Sequence, residues 1–194
     1  MTSARQPVGL AEVCGTRDGT QSLPRFTLLA PDYCQHAHMD VRAQAAAAFA
    51  VGFVFRSAPY EATSRDDKAL AEVTGDWNPI HWDPGFAART RFGRPLVHGL
   101  TLVGRLIGFM VGELGRVAED RYAIYESQSL RFLAPVYFGD SVQFEIEVLD
   151  WQPDSCRLVM ASRIYKLDSE RTLVTDGETR IRLFPFRDQR KEAA

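Results

Sequence analysis

The sequence predicts an α+β fold in which an antiparallel sheet wraps around one central apolar helix. Residues 53–55 form a first strand segment, residues 100–114 form one long apolar segment, and four segments with strand patterns follow it. A helix and a long loop separate the first strand from the apolar segment. This order of elements is typical of an α+β domain, and 194 residues are enough for one domain with its own core.

The first strand and the first helix are marked by local residue types. Residues 53–55 are Phe, Val and Phe, which favour strands. A helix is expected over residues 65–73, with Ser64 as its N-cap. Asp66 and Asp67 suit its first turn because the helix dipole favours negative charge there. Gly75 is expected to end the helix.

The central apolar segment, residues 100–114, has apolar side chains on nearly every side of a helical projection. Such a pattern predicts a helix that is buried all round. Gly104, Gly108 and Gly112 recur every four residues and form a stripe of small residues, which would let another element approach closely.

The last third of the chain has the alternation of half-buried strands. Apolar residues at 142, 144, 146 and 148 alternate with polar residues, and the apolar residues near 158–164 and 179–183 lie on one side of their segments. Gly139-Asp140 and Asp168-Ser169 mark the turns. We therefore expect four antiparallel strands after the central helix.

Composition limits the classes of function and of partner. The net charge of −2 provides no basic field for nucleic acid, and the apolar runs are shorter than the ~20 residues that cross a bilayer. Three distant cysteines without CxxC spacing, and a first segment without signal-peptide order, predict a cytoplasmic protein. Cys34, His36 and His38 have no second ligand cluster, so no metal site is expected. Asp40 could cap a short helix over residues 43–50.

Residues 75–99 form a long loop rich in glycine and proline, with a short helical turn expected at 85–88. Asp76, Asn78 and His81 place an acid, an amide and an imidazole within six residues. Pro79 stiffens this segment, and a carboxylate with an imidazole is a standard set for general acid–base chemistry. The residue types alone also fit a simple turn with a structural histidine.

The segment Gly75-Asp76-Trp77-Asn78-Pro79-Ile80-His81-Trp82-Asp83-Pro84, followed by Phe86-Ala87, resembles the signature of the MaoC-like (R)-specific enoyl-CoA hydratases. These are hot-dog fold proteins. The resemblance continues through residues 90–100 and resumes at 130–136 with Gly139-Asp140, so that it covers roughly residues 53–184. It implies one hot-dog hydratase domain over residues 51–186. Residues 1–50 would then be an N-terminal extension of unknown role, and residues 187–194 a polar tail.

The resemblance also implies an activity and a set of catalytic residues. The expected reaction is hydration of a 2-enoyl thioester to a (3R)-3-hydroxyacyl thioester, or the reverse dehydration. Asp76 and His81 match the catalytic pair that activates water, and Asn78 would orient their loop. Gly99 matches the glycine whose backbone N–H faces the thioester carbonyl, and His98 is expected to pack the start of the helix outside the catalytic set.

The expected substrate contacts fall into two groups. The walls of an apolar tunnel for the acyl chain are predicted to be Trp77, Phe86, Leu102 and Val103. The phosphates of coenzyme A, or of the phosphopantetheine arm of acyl carrier protein, could meet Arg89, Arg91 and Arg94. Surface arginines on a solvated loop explain the same three residues equally well. No cofactor is expected apart from the carrier group of the substrate.

Two other functions compete with this interpretation, and the resemblance also implies an oligomer. Hot-dog proteins include thioesterases, but these usually place their carboxylate on or near the central helix, where Glu113 lies far along. A non-catalytic subunit of a hot-dog heterodimer would be expected to lack Asp76 or His81. The resemblance implies a homodimer or a higher oligomer, because an exposed edge strand invites pairing.

Overall fold

The computed structural model describes residues 48–186. The strands are β1 Val54–Arg56, β2 Tyr60–Glu61, β3 Arg121–Phe132, β4 Ser141–Gln152, β5 Arg157–Lys166 and β6 Leu173–Pro185. The helices are α1 Ser64–Thr74, α2 Pro84–Ala87 and α3 Gly99–Val117, with short 3-10 turns at Pro79–His81 and Pro153–Ser155. Most of the extension predicted over 1–50, with the helix predicted over 43–50, lies outside the described residues, as do the cysteine and histidine group near Cys34 and the tail over 187–194.

The six strands form one antiparallel sheet, in which β3 is an edge strand. The order is β1-β4-β5-β6-β3, and β2 also pairs with β4. The long helix α3 packs against this sheet, and the two share one hydrophobic core. The fully buried side chains of that core include Leu102, Leu106, Ile146, Leu158, Met160, Ile164, Ile181 and Leu183. The α+β fold with a sheet around one central helix is thereby confirmed.

The predicted alternation in the last strands is also confirmed, with one exception on β4. Val142, Phe144, Ile146 and Val148 are all buried, as expected for the core face. Glu145 points to the opposite face, yet it is also buried. Three arginines from neighbouring segments cover its carboxylate, and these are Arg56, Arg163 and Arg171.

Helix α1 ends as predicted but begins one residue earlier than predicted, at Ser64. The N-cap is Thr63 rather than Ser64, because Thr63 has extended backbone angles and its side chain accepts the N–H of Asp66 at 3.3 Å. Ser64 is already the first helical residue. Gly75 ends the helix in the left-handed region, with φ of 76°, and its N–H donates to Ala71 O at 2.8 Å.

The prediction that α3 is buried on every side is wrong for the single chain. One face packs on the sheet, but Leu100 is 59% exposed and Val111 is 50% exposed on the other face. Gly104, Gly108 and Gly112 are exposed, and no other atom lies within 4 Å of where their Cβ atoms would be. The small-residue stripe therefore faces outward within residues 48–186. In this part of the chain we find no helix with the length and apolar character needed to cross a bilayer.

We predict that Glu145→Gln lowers the free energy of unfolding by about 2 kcal/mol at neutral pH, the size of a buried hydrogen bond to a charged group. Burial raises the pKa of Glu145, but the hydrogen bonds from Arg171 and Arg56 outweigh it and hold the pKa below its ordinary value of 4.5. A depressed carboxyl pKa stabilises the fold above pH 4.5, and this stabilisation is lost as the pH falls through the folded-state value. Urea unfolding at several pH values measures the difference between variant and wild type.

The matched control for this prediction is Glu178→Gln, since within residues 48–186 Glu178 pairs with Arg180 alone and its side chain is 39% exposed. That change should cost less than about 1 kcal/mol. A Glu145→Gln protein whose deficit does not shrink below pH 4.5 would contradict the assignment of the effect to the ionised carboxylate.

Candidate active site

The loop that follows α1 is held in a compact turn by its own polar side chains. Asp76 Oδ1 accepts the N–H of Asn78 at 3.2 Å, and Asn78 Oδ1 accepts the N–H of Ile80 at 3.2 Å. Asn78 thus caps the 3-10 turn Pro79–His81, and Pro79 supplies its first residue. The orienting role expected of Asn78 remains a prediction. Asp76 and Asn78 are exposed, whereas His81 is half-buried.

His81 has one ring nitrogen committed to the backbone. Its Nδ1 lies 2.7 Å from the carbonyl oxygen of Leu96, which can only accept a hydrogen bond. Nδ1 must therefore carry a proton, and in the neutral ring Nε2 keeps the lone pair. The His81 ring stacks on the ring of His98, with 3.5 Å between centroids and 20° between planes.

His98 lies at the centre of a buried hydrogen-bond network. It is the N-cap of α3 and is 3% exposed. Its Nδ1 lies 2.6 Å from Asp67 Oδ2, and its backbone N–H contacts both carboxylate oxygens at 3.1 and 3.2 Å. Thr101 Oγ1 donates to Asp67 Oδ1 at 2.5 Å. The start of α3 is thereby fixed to α1.

The same histidine also contacts the Asp76 loop. His98 Nε2 lies 3.1 Å from the backbone oxygen of Asp76 and 3.7 Å from its carboxylate oxygen Oδ2. Within residues 48–186 no hydrogen bond or ion pair joins Asp76 directly to His81. The two predicted catalytic residues therefore both contact His98. Their roles as an acid–base pair remain a prediction.

An apolar cavity of about 280 Å³ opens beside His81. Four of the predicted site residues line it, namely His81, Gly99, Leu102 and Arg91. Its other walls are Phe92, Leu96, Val97, Leu100, Phe132, Leu133, Ala134, Pro135, Val136 and Val174. Trp77, Phe86, Val103, Arg89 and Arg94 are not among the lining residues, although the sequence suggested them as substrate contacts. Sequence reasoning missed these ten walls, of which Phe132 ends β3 and Leu133 to Val136 form the segment after it.

Gly99 lies where the cavity meets the first turn of α3. Its N–H belongs to that first turn, where the helix itself offers no acceptor. A Cβ at this position would lie 2.5 Å from Cε1 of the Phe132 ring. A larger residue would have to displace this ring, so glycine permits the observed contact between the helix start and the cavity wall.

The three arginines of the loop pack on aromatic rings. Their guanidinium carbons lie over the rings of Phe86, Phe92 and Tyr137, at 5.7 Å for Arg89, 4.8 Å for Arg91 and 4.0 Å for Arg94. Arg91 is the one of the three that lines the cavity. Trp77 is half-exposed and packs on Trp82, whose indole N–H is buried without a partner within the described residues.

Asp67, His81 and His98 also have the spacing of a possible metal group, since one donor atom from each lies within 4.8 Å of the others. The hydrogen bonds above already involve the Asp67 carboxylate, both nitrogens of His98 and one nitrogen of His81. A metal would have to replace these bonds. The arrangement therefore fits a hydrogen-bond network better than a metal centre.

We predict that Thr101→Val lowers the free energy of unfolding by about 2 kcal/mol, because it removes a buried donor to a charged carboxylate without changing side-chain size. The matched control is Thr172→Val, which removes a hydroxyl donor to Asp168 in a solvent-exposed bond of 2.8 Å. The control should cost less than about 1 kcal/mol. If chemical unfolding shows equal losses of free energy for the two variants, burial of the Asp67 network adds nothing to the stability that the hydroxyl bond provides.

The chain is similar in sequence to a known domain family and to known enzymes. The family model for the MaoC like domain matches residues 47–166. The (R)-specific enoyl-CoA hydratase of Aeromonas caviae is 37% identical over 115 residues, which is 59% of this chain and 81% of that enzyme. The 3-hydroxybutyryl-CoA dehydratase of Methylorubrum extorquens is 38% identical over 123 residues, which is 63% of this chain and 74% of that enzyme.

A solved structure gives the same result for the fold. The (R)-hydratase from A. caviae involved in PHA biosynthesis superposes with a TM-score of 0.57 at 34% identity, over 69% of this chain and 96% of that one. The antiparallel sheet of this chain, packed against one long helix, is the hot-dog fold predicted from the sequence. With a family model that matches more than half of its residues, this chain belongs to the MaoC-like domain family and is a hydratase or dehydratase with the hot-dog fold.

Proposed function

We propose that the protein adds water to the double bond of a 2-enoyl thioester to give a (3R)-3-hydroxyacyl thioester, or catalyses the reverse dehydration. The acyl group is carried by coenzyme A or by acyl carrier protein. Asp76 and His81 act on the water, and the N–H of Gly99 polarises the thioester carbonyl. No further cofactor enters this proposal.

The observation that carries the proposal is that His81 and Gly99 line one cavity whose other walls are largely apolar. Such a cavity suits an acyl chain, and the two polar groups at its wall suit the reacting end. With Nδ1 of His81 bound to Leu96 O, Nε2 is the nitrogen that can accept a proton from water.

The proposed mechanism assigns one task to each group. His81 Nε2, with Asp76, holds a water molecule and removes a proton from it as its oxygen attacks the β-carbon. The electrons of the double bond move towards the thioester oxygen, where the Gly99 N–H and the start of α3 stabilise the developing enolate. The pair then delivers a proton to the α-carbon.

The structure gives less support to the thioester hydrolase alternative. Glu113, the carboxylate near the end of α3, is bound to Arg116 and is not among the residues that line the cavity. Arg91 is the best placed of the three arginines to meet a phosphate of the carrier arm, since it is exposed and lies at the cavity.

We further propose that the protein is a homodimer that pairs through β3. This strand is 12 residues long, lies at an edge of the sheet and leaves apolar side chains exposed, including Tyr122, Ile124, Tyr125 and Phe132. A long, exposed, apolar edge is a template for pairing with another strand.

The pairing is tested by sedimentation of the full chain at micromolar concentration. Wild type should sediment as a dimer or larger, and Ile124→Lys should shift it towards the monomer because a charge on the paired edge opposes association. Val73→Lys is the control, since Val73 is exposed but belongs to α1 and not to the paired strand. A monomeric wild type would contradict the proposal.

The catalytic assignment predicts that Asp76→Asn and His81→Asn each reduce turnover at least ~10²-fold, the lower range for general acid–base groups. The double variant should be little worse than either single variant, because residues that act as one unit are not additive. Turnover is followed as loss of enoyl absorbance on a panel of enoyl-CoA thioesters, with an acyl-carrier-protein thioester alongside.

Asp83→Asn is the matched control in the same loop. Asp83 caps α2 through bonds to the N–H groups of Gly85 and Phe86, and asparagine caps a helix equally well. This variant should keep full activity. A folded Asp76→Asn protein with near-wild-type turnover would refute the mechanism, and a (3S) product would refute the assigned face of addition.

A further inference from the structure

The charge of His98 follows from the hydrogen-bond partners of its two ring nitrogens. Nδ1 lies 2.6 Å from a carboxylate oxygen of Asp67, and Nε2 lies 3.1 Å from the backbone oxygen of Asp76. A carbonyl oxygen can only accept, so Nε2 must donate. A neutral imidazole has a single N–H, and here Nε2 carries it. A second proton, on Nδ1, would make the ring a cation.

The surroundings of Asp67 decide where the shared proton lies. Its carboxylate also receives the backbone N–H of His98 and the hydroxyl of Thr101. These contacts are donors, and donors favour the ionised form of a carboxylate. A protonated Asp67 would weaken them, so the proton belongs on Nδ1 of His98.

We propose that His98 is a buried imidazolium, paired with the Asp67 carboxylate, and that it acts as a positioning residue for His81 and Asp76. The charged and polar groups that face it come from each neighbouring element: Asp67 from α1, Thr101 from α3, Asp76 from the loop and His81 from the 3-10 turn. The Trp82 ring, 5.8 Å away, adds an aromatic face beside the cation.

A cation at His98 has two consequences for the site. The His81 ring is stacked on it at 3.5 Å, and a second positive charge there would be repelled, so His81 rests in its neutral form with the Nε2 lone pair available. The His98 Nε2–H also holds the Asp76 backbone and attracts its carboxylate, 3.7 Å away, towards the His81 ring. The part that concerns His81 as a base rests on the proposed function.

The charge state is tested on the wild-type chain by nitrogen-15 NMR of the imidazole rings at neutral pH, which distinguishes protonated from bare ring nitrogens. We expect both nitrogens of His98 to be protonated and His81 to be protonated at Nδ1 alone. The chain has 4 histidines, and the spectra of His81→Asn and His98→Gln assign the signals. A bare Nδ1 on His98 would overturn the proposal, and this measurement requires no enzymatic activity.

The positioning role is tested with a matched pair of variants on α1. Asp67→Asn removes the counter-charge, and we expect His98 to lose a proton and turnover to fall about 10-fold to 100-fold, the size of effect that small misplacements of catalytic groups produce. Asp66→Asn is the control, because Asp66 binds Tyr60 and Arg105 instead. It should leave the His98 signals and turnover unchanged.

The variants separate positioning from a general loss of structure. In folded Asp67→Asn, the fall should appear in kcat with little change in KM, together with the altered His98 spectrum. Normal turnover in a folded Asp67→Asn protein, or unchanged His98 signals, would overturn the positioning role. If that variant does not fold, His98→Gln provides the second kinetic test, and normal turnover in it would have the same meaning.

Discussion

The carboxylate of Asp67 is completely buried, and a buried charge is stable only when donors or a counter-charge surround it. Asp67 meets this requirement by binding the backbone and ring of His98 and the hydroxyl of Thr101. These partners all belong to the start of α3. This carboxylate therefore fixes the start of α3 to α1, and the cavity and the Asp76 loop lie beside that contact.

The neighbouring acid, Asp66, lies on the solvent side of α1 and has partners of its own. It accepts the Tyr60 hydroxyl at 2.6 Å and pairs with Arg105 of α3 at 2.7 Å. Burial, with the adjacent carboxylate, raises the pKa of Tyr60 to about 12, so the phenol stays a donor throughout the physiological range. Two consecutive acids thus join β2, α1 and α3, one in the core and one at its surface.

The sequence was sufficient for the order of elements, because each depends on local signals such as the alternation in β4 or the glycine at the end of α1. The sequence was insufficient to predict that Asp67 is buried. Asp67 has the same local signal as Asp66, because both are acids in a first helical turn. Only the packing of α1 on α3 turns one inward, 31 residues from its partner His98. The walls at the end of β3 were missed for a similar reason, since Phe132 and Leu133 line the same cavity as Gly99 through tertiary structure alone.

The exposure of these walls connects the cavity to the edge of the sheet. Phe132 ends β3, and both it and Leu133 remain more than half exposed while lining the cavity. Leu100, on the outward face of α3, lines the same cavity and is equally exposed. Apolar side chains in such positions gain stability when another surface covers them. Pairing of two copies along β3, as proposed, would cover this side of the molecule and exclude water from the cavity. Assembly and catalysis would then both depend on the end of β3. The charge network around Asp67 would hold the start of α3, which forms another wall of the cavity, in place.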